Sequence, residues 1–335
     1  GYQWATDKHG KERNTDTDFS FANYREADRR LEAYAQIAGR VTSLLERMPE
    51  KDRACFYQVL YYPVKACELL NRMVLRGQQN RRYATQQRAA TDALAAESRM
   101  CHDSLQVITA GYNALLGKWD HVMTMNQGFA SSYFQLPELR SAQLASRAVL
   151  GVEAEGEDVM KGLRSYHMLP AFNTFLRRSY FVDVYNKGGG PLQWNAEASD
   201  DWIVLSRTAG TTRTGERIEV SVDWSKVPVG DAVSGCLTIK SAGGESRRVL
   251  VSVFNPASPA REEVQGLYVQ HNGYISIPAA DFHRKRENDA IRIRQIPNLG
   301  IENTAIQLGD PTAPKQNTRR REVPCVEYDF YTFEQ

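Results

Sequence analysis

Three side chains in the stretch "GKWDHVM", namely Lys118, Trp119 and His121, follow directly on a predicted helix end. A lysine ammonium can pair with a carboxylate, and an indole face can stack on a sugar ring. The plainer reading is a tryptophan that closes the end of a helical bundle beside a solvated lysine. Trp194, Trp202 and Trp224 fall in alternating, strand-like sequence. Trp202 and Trp224 end or interrupt strands and read as core. Trp194 follows a glycine-rich turn and is a candidate for contact with carbohydrate. Tyr268 and Tyr274 can also stack on sugars, although tyrosine in strands is ordinary core material.

Arginine is concentrated in "RKR" (284–286), "IRIR" (291–294) and "TRRR" (318–321). Arg292 and Arg294 alternate as they would on a solvent-facing edge strand. A basic surface of this kind can also raise the local concentration of an acidic polymer. Arg81, Arg82 and Arg88 make one predicted helix basic. Such a run is ordinarily a solvated face, and the rival reading is an interface with another domain or subunit.

No catalytic signature accompanies these residues. GxSxG, HExxH, the P-loop and the dinucleotide fingerprint are all missing. The six histidines form no HxH or HxxxH pair, and no cysteine lies in a CxxC pair. The expectation is therefore no catalytic residue, no metal and no cofactor in this chain. The five cysteines read as small buried hydrophobes, with a disulfide from Cys55 or Cys67 to Cys101 as the alternative.

The totals narrow the field further. The chain has 335 residues and a net charge of +2. Two or three domains are expected at that length. A near-neutral balance argues against a nucleic-acid binder. No run approaches the roughly 18 apolar residues of a membrane span. The chain begins at Gly1 without a signal-like core and reads as a processed or cut fragment.

The elements that must hold these side chains change character midway. Residues 1–18 read as a loop or the end of a preceding region. In 19–150, Tyr24, Ala27, Leu31, Tyr34, Ala38, Val41, Leu45 and Met48 recur every three or four residues, the mark of an amphipathic helix. Pro49 ends it. A second helix from about Asp52 carries Pro63 and should kink there. Third and fourth helices are expected over about 76–102 and 104–116, completing a helical bundle. The acidic stretch 151–168 reads as an exposed linker. Over 169–256, short alternating strands recur with turn signals between them, the pattern of an immunoglobulin-like β-sandwich. A linker at 257–265 leads to a second, C-terminal β-sandwich at 266–335. The predicted fold class is thus multi-domain, α then β.

Several stretches, in order, carry a family resemblance. They include "DFSFANYREADRRL", "FYQVLYYPVKACELLNRM", "LLGKWDHVM", "VDVYNKGGGPLQWNAEASDDWIVLSRTAG", "GYISIPAADF", "IPNLGIENTAIQL" and "VEYDFYTF". Together they resemble the C-terminal half of family 115 glycoside hydrolases, the xylan α-1,2-glucuronidases. One departure is Phe134, which stands before Gln135 where many relatives have tryptophan. The resemblance implies an accessory portion of an enzyme that removes glucuronic or 4-O-methylglucuronic acid from xylan. It places the catalytic carboxylates on an upstream (β/α)₈ barrel, so this chain alone should be inactive. It further implies the barrel of the same polypeptide, a second copy of the chain and glucuronoxylan as partners, and a secreted or periplasmic location. On this reading Lys118, Trp119 and His121 contact substrate or barrel, and Trp194, Tyr274, Arg292 and Arg294 contact carbohydrate. The competing reading is a stand-alone carbohydrate-binding or structural module.

Overall fold

The computed structural model describes residues 4–6, 12–14, 16–115, 120–124, 135–157, 166–299, 304–317 and 323–333, the first two segments as backbone only, where they pair antiparallel as strands β1 (Trp4–Thr6) and β2 (Glu12–Asn14). The chain divides into two compact units. The first comprises 1–169, 180–221 and 235–251, and the second comprises 170–179, 222–234 and 252–335.

The helices of the first unit are α1 (Glu26–Arg47), α2 (Glu50–Phe56), α3 (Tyr62–Thr85) and α4 (Thr91–Ala114). Leu69 and Met73 of α3 sit four residues apart, as do Cys101 and Leu105 of α4. Burial of these side chains, with Val74, forms the α3–α4 core. Ala27 and Leu31 of α1 pack on Leu75 in the same way. The disturbance expected at Pro63 falls one turn earlier, as a π-helical turn over Tyr57–Tyr61. Proline has no N–H to offer the carbonyl four residues back, and a widened turn accommodates that loss.

The third helix boundary differs from expectation. The sequence suggests a break near 103, but the chain turns at 86–90 and α4 runs on to Ala114. Gln87 adopts the left-handed conformation at φ 56°. The Arg88 N–H reaches the Tyr83 carbonyl at 3.0 Å, and the Gln87 N–H reaches that of Ala84 at 3.1 Å. This is a Schellman closure, with glutamine where glycine is usual. The hydroxyl of Thr91, the first residue of α4, donates to the Arg88 carbonyl at 2.6 Å.

A four-stranded sheet follows the helices. Its order is β3 (Leu150–Ala154), β6 (Tyr180–Asn186), β10 (Gly215–Val222) and β8 (Ile203–Leu205). Five more strands form a second sheet in the order β4 (His167–Met168), β12 (Ser246–Asn255), β11 (Gly230–Ser241), β7 (Leu192–Ala198) and β9 (Ala209–Thr212). There β5 (Phe172–Asn173) also pairs with β12. All seven residues of β6 are buried, whereas β7 alternates, with Leu192, Trp194 and Ala196 inward. The chain is thus helical first and β-rich after, as expected.

The stretch read as an exposed linker starts inside this sheet. Leu150, Val152, Glu153, Ala154 and Glu155 are buried. Glu155 accepts the backbone N–H groups of Tyr24 at 2.9 Å and Phe181 at 3.0 Å, tying β6 to the residues leading into α1. Burial pushes its carboxyl pKa up despite these two donors. Acidic residues in a glycine-bearing stretch look solvated in sequence, and here their partners lie more than twenty residues away.

The second unit has its own apolar centre. Phe175, Val264 and Val269 are buried against Phe254, Leu267, Tyr331 and Phe333. The Phe254 and Phe333 rings meet edge-on with centroids 4.6 Å apart. Three two-stranded ladders are built here: β13 (Tyr268–Val269) with β18 (Phe330–Tyr331), β14 (Arg284–Arg286) with β17 (Cys325–Glu327), and β15 (Ile293–Pro297) with β16 (Thr304–Leu308). "HNGY" forms a tight turn in which Asn272 and Gly273 have φ 51° and 81°. Backbone bonds of 2.8 and 3.1 Å join His271 to Tyr274. All five cysteines are unpaired. Cys101 and Cys236 are buried, while Cys55 and Cys67 are exposed.

Candidate functional site

The densest arrangement of polar chemistry in the first unit lies where α3 and the 86–90 turn meet the four-stranded sheet. Arg88 is 3% exposed. The Schellman turn aims it at the sheet, and its guanidinium lies between two tyrosine rings, 4.1 Å from the centroid of Tyr83 and 3.9 Å from that of Tyr185. Its Nε donates to Gln86 Oε1 at 2.6 Å. Arg88 and Arg82 both bind the Glu153 carboxylate, and Gln86 Nε2 donates to it at 2.8 Å.

Asp183 on β6 links this group to a second arginine. Arg88 Nη1 lies 3.4 Å from Asp183 Oδ2. Arg217 on β10 holds Asp183 in bidentate fashion, through Nε at 2.7 Å and Nη2 at 3.2 Å. Its Nη1 donates to Asp28 of α1 at 3.1 Å, and its guanidinium lies 3.6 Å from the Phe181 ring centroid. Burial opposes the charge on Arg217, but Asp183, with Asp28 behind it, more than offsets this and raises its pKa. Three guanidiniums (Arg82, Arg88, Arg217) thus face three carboxylates (Asp28, Glu153, Asp183), and the charges balance.

Two glycines make room for Tyr185. Gly151 on β3 and Gly215 on β10 are its register partners on either side. A Cβ on Gly151 would lie 2.2 Å from Tyr185 Cε2. Only glycine there lets the ring lean across the neighbouring strand and lie against Arg88. Burial raises the pKa of both Tyr83 and Tyr185 and keeps them neutral phenols.

A cavity of about 240 Å³ opens beside the cluster, lined by Asp28, Gln79, Tyr83, Arg88, Asp183 and Arg217 among others. Trp194 forms part of its support. Its Nε1–H donates to the wall residue Glu216 at 2.9 Å. The arrangement holds neutral phenols, saturated guanidiniums and paired carboxylates. That chemistry suits holding and binding. Among the described residues, no group of three or more His, Cys, Asp or Glu is placed to hold a metal ion.

The residues singled out in sequence do not gather here. Lys118 and Trp119 lie outside the described residues, as do Phe134 and the 318–321 arginines. His121 is 84% exposed at its side chain and pairs with Asp120 at 3.0 Å. Trp194 is 4% exposed. This corrects its assignment as a sugar-stacking platform, because a ring buried under its neighbours offers no face to a polymer. Trp202 is buried as expected, and Trp224 is half-buried, 5.7 Å from the Arg177 guanidinium. In the second unit, Tyr274 is 41% exposed and meets His271 edge-on. Arg292 and Arg294 alternate on one exposed face, at 62% and 64%, with Glu287 at 3.8 Å and Asp310 at 3.6 Å. His271 is buried, and burial, with Arg178 nearby, pushes its pKa down to about 4.

Arg81, Arg82 and Arg88 are corrected as well. They are not a solvated face. Arg82 and Arg88 bind Glu153, and Arg81 binds Asp16 and the Glu138 carbonyl. Reasoning from sequence missed Glu153, Asp183 and Arg217 altogether. The one available signal was a carboxylate within an otherwise apolar strand, "YFVDVYN", since a buried charge requires a partner.

Comparison with known proteins places the C-terminal region. Residues 267–335 match the family described as glycosyl hydrolase family 115 C-terminal domain, so the resemblance to the C-terminal part of family 115 enzymes holds. No curated protein sequence matches the chain. A solved family 115 4-O-methyl-α-glucuronidase, described as specific for decorated arabinogalactans, aligns at 14% identity with a TM-score of 0.31. The alignment covers 62% of this chain and 32% of that one. A Bacteroides ovatus GH5 xyloglucanase aligns at 18% identity over 35% of this chain and 21% of that one, with a TM-score of 0.22. The Escherichia coli chaperone DraB aligns at 13% identity over 38% and 67%, with a TM-score of 0.26. The chain spans about a third of the length of the family 115 structure.

Proposed function

We propose that this chain is the accessory C-terminal portion of a family 115 α-glucuronidase acting on glucuronoxylan. The observation that carries the proposal is the match of residues 267–335 to the family 115 C-terminal domain, preceded by the family-like stretches in order. In this role the chain supports an upstream catalytic barrel, helps pair two copies of the enzyme, and helps hold the polymer. The catalytic carboxylates belong to the barrel, and the enzyme acts outside the cytoplasm. The exposed arginines of the second unit, Arg284, Arg292 and Arg294, each stand beside a carboxylate at the surface, and they suit an acidic polysaccharide where its carboxylates replace those partners at contact.

The test is a pair of assays on glucuronoxylan and on glucuronate-capped arabinogalactan. One uses this chain alone, and the other uses it mixed with the barrel-bearing portion of the same polypeptide. Uronic acid release only in the mixture is the expected result. Release by the chain alone overturns the assignment of catalysis to the barrel. The family match covers only 267–335, which leaves one rival, a free-standing carbohydrate-binding or structural module. Retardation on xylan together with no rescue of the barrel portion would favour that rival.

A further inference from the structure

We propose that the cavity beside Arg88 and Arg217 is a binding site for a single neutral sugar ring. This goes beyond the accessory role and does not depend on it.

The first observation is which wall groups remain uncommitted. The Tyr83 hydroxyl accepts from Gln79 Nε2 at 3.2 Å, and no acceptor for its own proton exists among the described residues. Asp28 uses Oδ2 for Arg217, while Oδ1 has no partner among the described residues. The hydroxyl of Thr214, at the exposed rim, is likewise without a partner there. The cavity therefore presents a donor, an acceptor and a group that can be either. A ring with several hydroxyls can satisfy all three at once, and a hydrocarbon can satisfy none.

The second observation concerns charge. Both lining guanidiniums are saturated by carboxylates, Arg217 by Asp183 and Asp28, and Arg88 by Glu153 and Asp183. An anion entering the cavity finds no spare cation. It would instead face Asp28, Asp183 and Glu216 across a small space. A uronate is thus disfavoured and an uncharged sugar preferred. Size agrees: 240 Å³ falls below the roughly 300–1,000 Å³ of pockets for drug-sized ligands.

The chain carries its own reporter. Trp194 Nε1–H bonds to Glu216, which lines the cavity, so its indole ¹H–¹⁵N resonance senses occupancy. Trp194→Phe identifies the peak. The 335-residue chain is titrated with D-xylose, L-arabinose and D-galactose, and separately with D-glucuronate. The expected result is saturable movement of that peak by at least one neutral sugar, with Kd on the order of millimolar, and at least about tenfold weaker binding of glucuronate. Tyr83→Phe, which keeps the ring against Arg88, should weaken the neutral sugar several-fold at unchanged melting temperature. Ala90→Phe, which fills the cavity wall, should abolish the response. The proposal is overturned if no neutral sugar moves the peak saturably, if both variants titrate like the parent, or if glucuronate binds as tightly. Xylan retention through the second unit leaves the Trp194 peak unmoved, so failure here is distinct from failure of the accessory-portion reading.

Discussion

The two units use the same side chains in opposite ways. In the first, Arg82 and Arg88 turn inward and meet Glu153 and Asp183 with little access to water, and Arg217 joins Asp183 to Asp28 at the cavity wall. In the second, Arg284 and Arg286 meet Glu327 and Asp329 on strands open to solvent. Both sets include bidentate or shared pairs of good geometry. The surrounding dielectric separates them. An exposed pair gains little, because water already solvates both partners. A buried pair becomes indispensable once formed, because removing one partner strands the other charge in a poorly solvating interior. A run of arginines therefore says nothing about its worth until its burial is known.

The largest test of that contrast is Arg88→Met. It leaves Glu153 short of one buried partner and should cost about 3–5 kcal/mol, read as a shift in the urea midpoint. A shift too small to measure would show that water reaches the cluster and would break the comparison. The contrast sharpens with His271, a buried titratable group in the second unit. Its folded pKa, about 4, lies below its unfolded value, so the unfolded chain binds the proton first as pH falls. Its contribution is fully present above about pH 6.5 and is lost as pH drops from there toward 4, by at most about 3 kcal/mol. His271→Gln should remove that part of the slope, as measured by denaturation from pH 4 to 7.

Next comes Gly151→Ala, where the added methyl meets the Tyr185 ring. Overpacking of this kind costs about 1–3 kcal/mol. The matching loss should also appear as weaker protection of the β3 amides in hydrogen exchange. The smallest effect belongs to Arg284→Ala on the exposed ladder. Its thermal midpoint should match the parent at 150 mM salt, a condition that already screens surface charge over about 8 Å. A clear loss there would erase the distinction between the two units.

Much of the architecture was legible beforehand. The three-and-four spacing from Ala27 to Val41, the two-residue alternation of Leu192, Trp194 and Ala196, and the Asn272–Gly273 turn each follow from local backbone geometry. The break at Gln86–Ala90 was not legible, because glutamine rather than glycine takes the left-handed position. The strand at Leu150–Ala154 was hidden by the glutamates that follow and interrupt it. The junction cluster was invisible because its members, Asp28, Arg82 with Arg88, Glu153, Asp183 and Arg217, come from five separated stretches of chain.

The order of helix and strand, the apolar faces and the family likeness of the last seventy or so residues were all written into the linear chain, since each depends on neighbours within a few positions. Which charges are buried came from long-range packing. Arg88 and Glu153 are 65 residues apart in the chain, and whether such a pair meets in water or between two tyrosine rings is settled by packing alone.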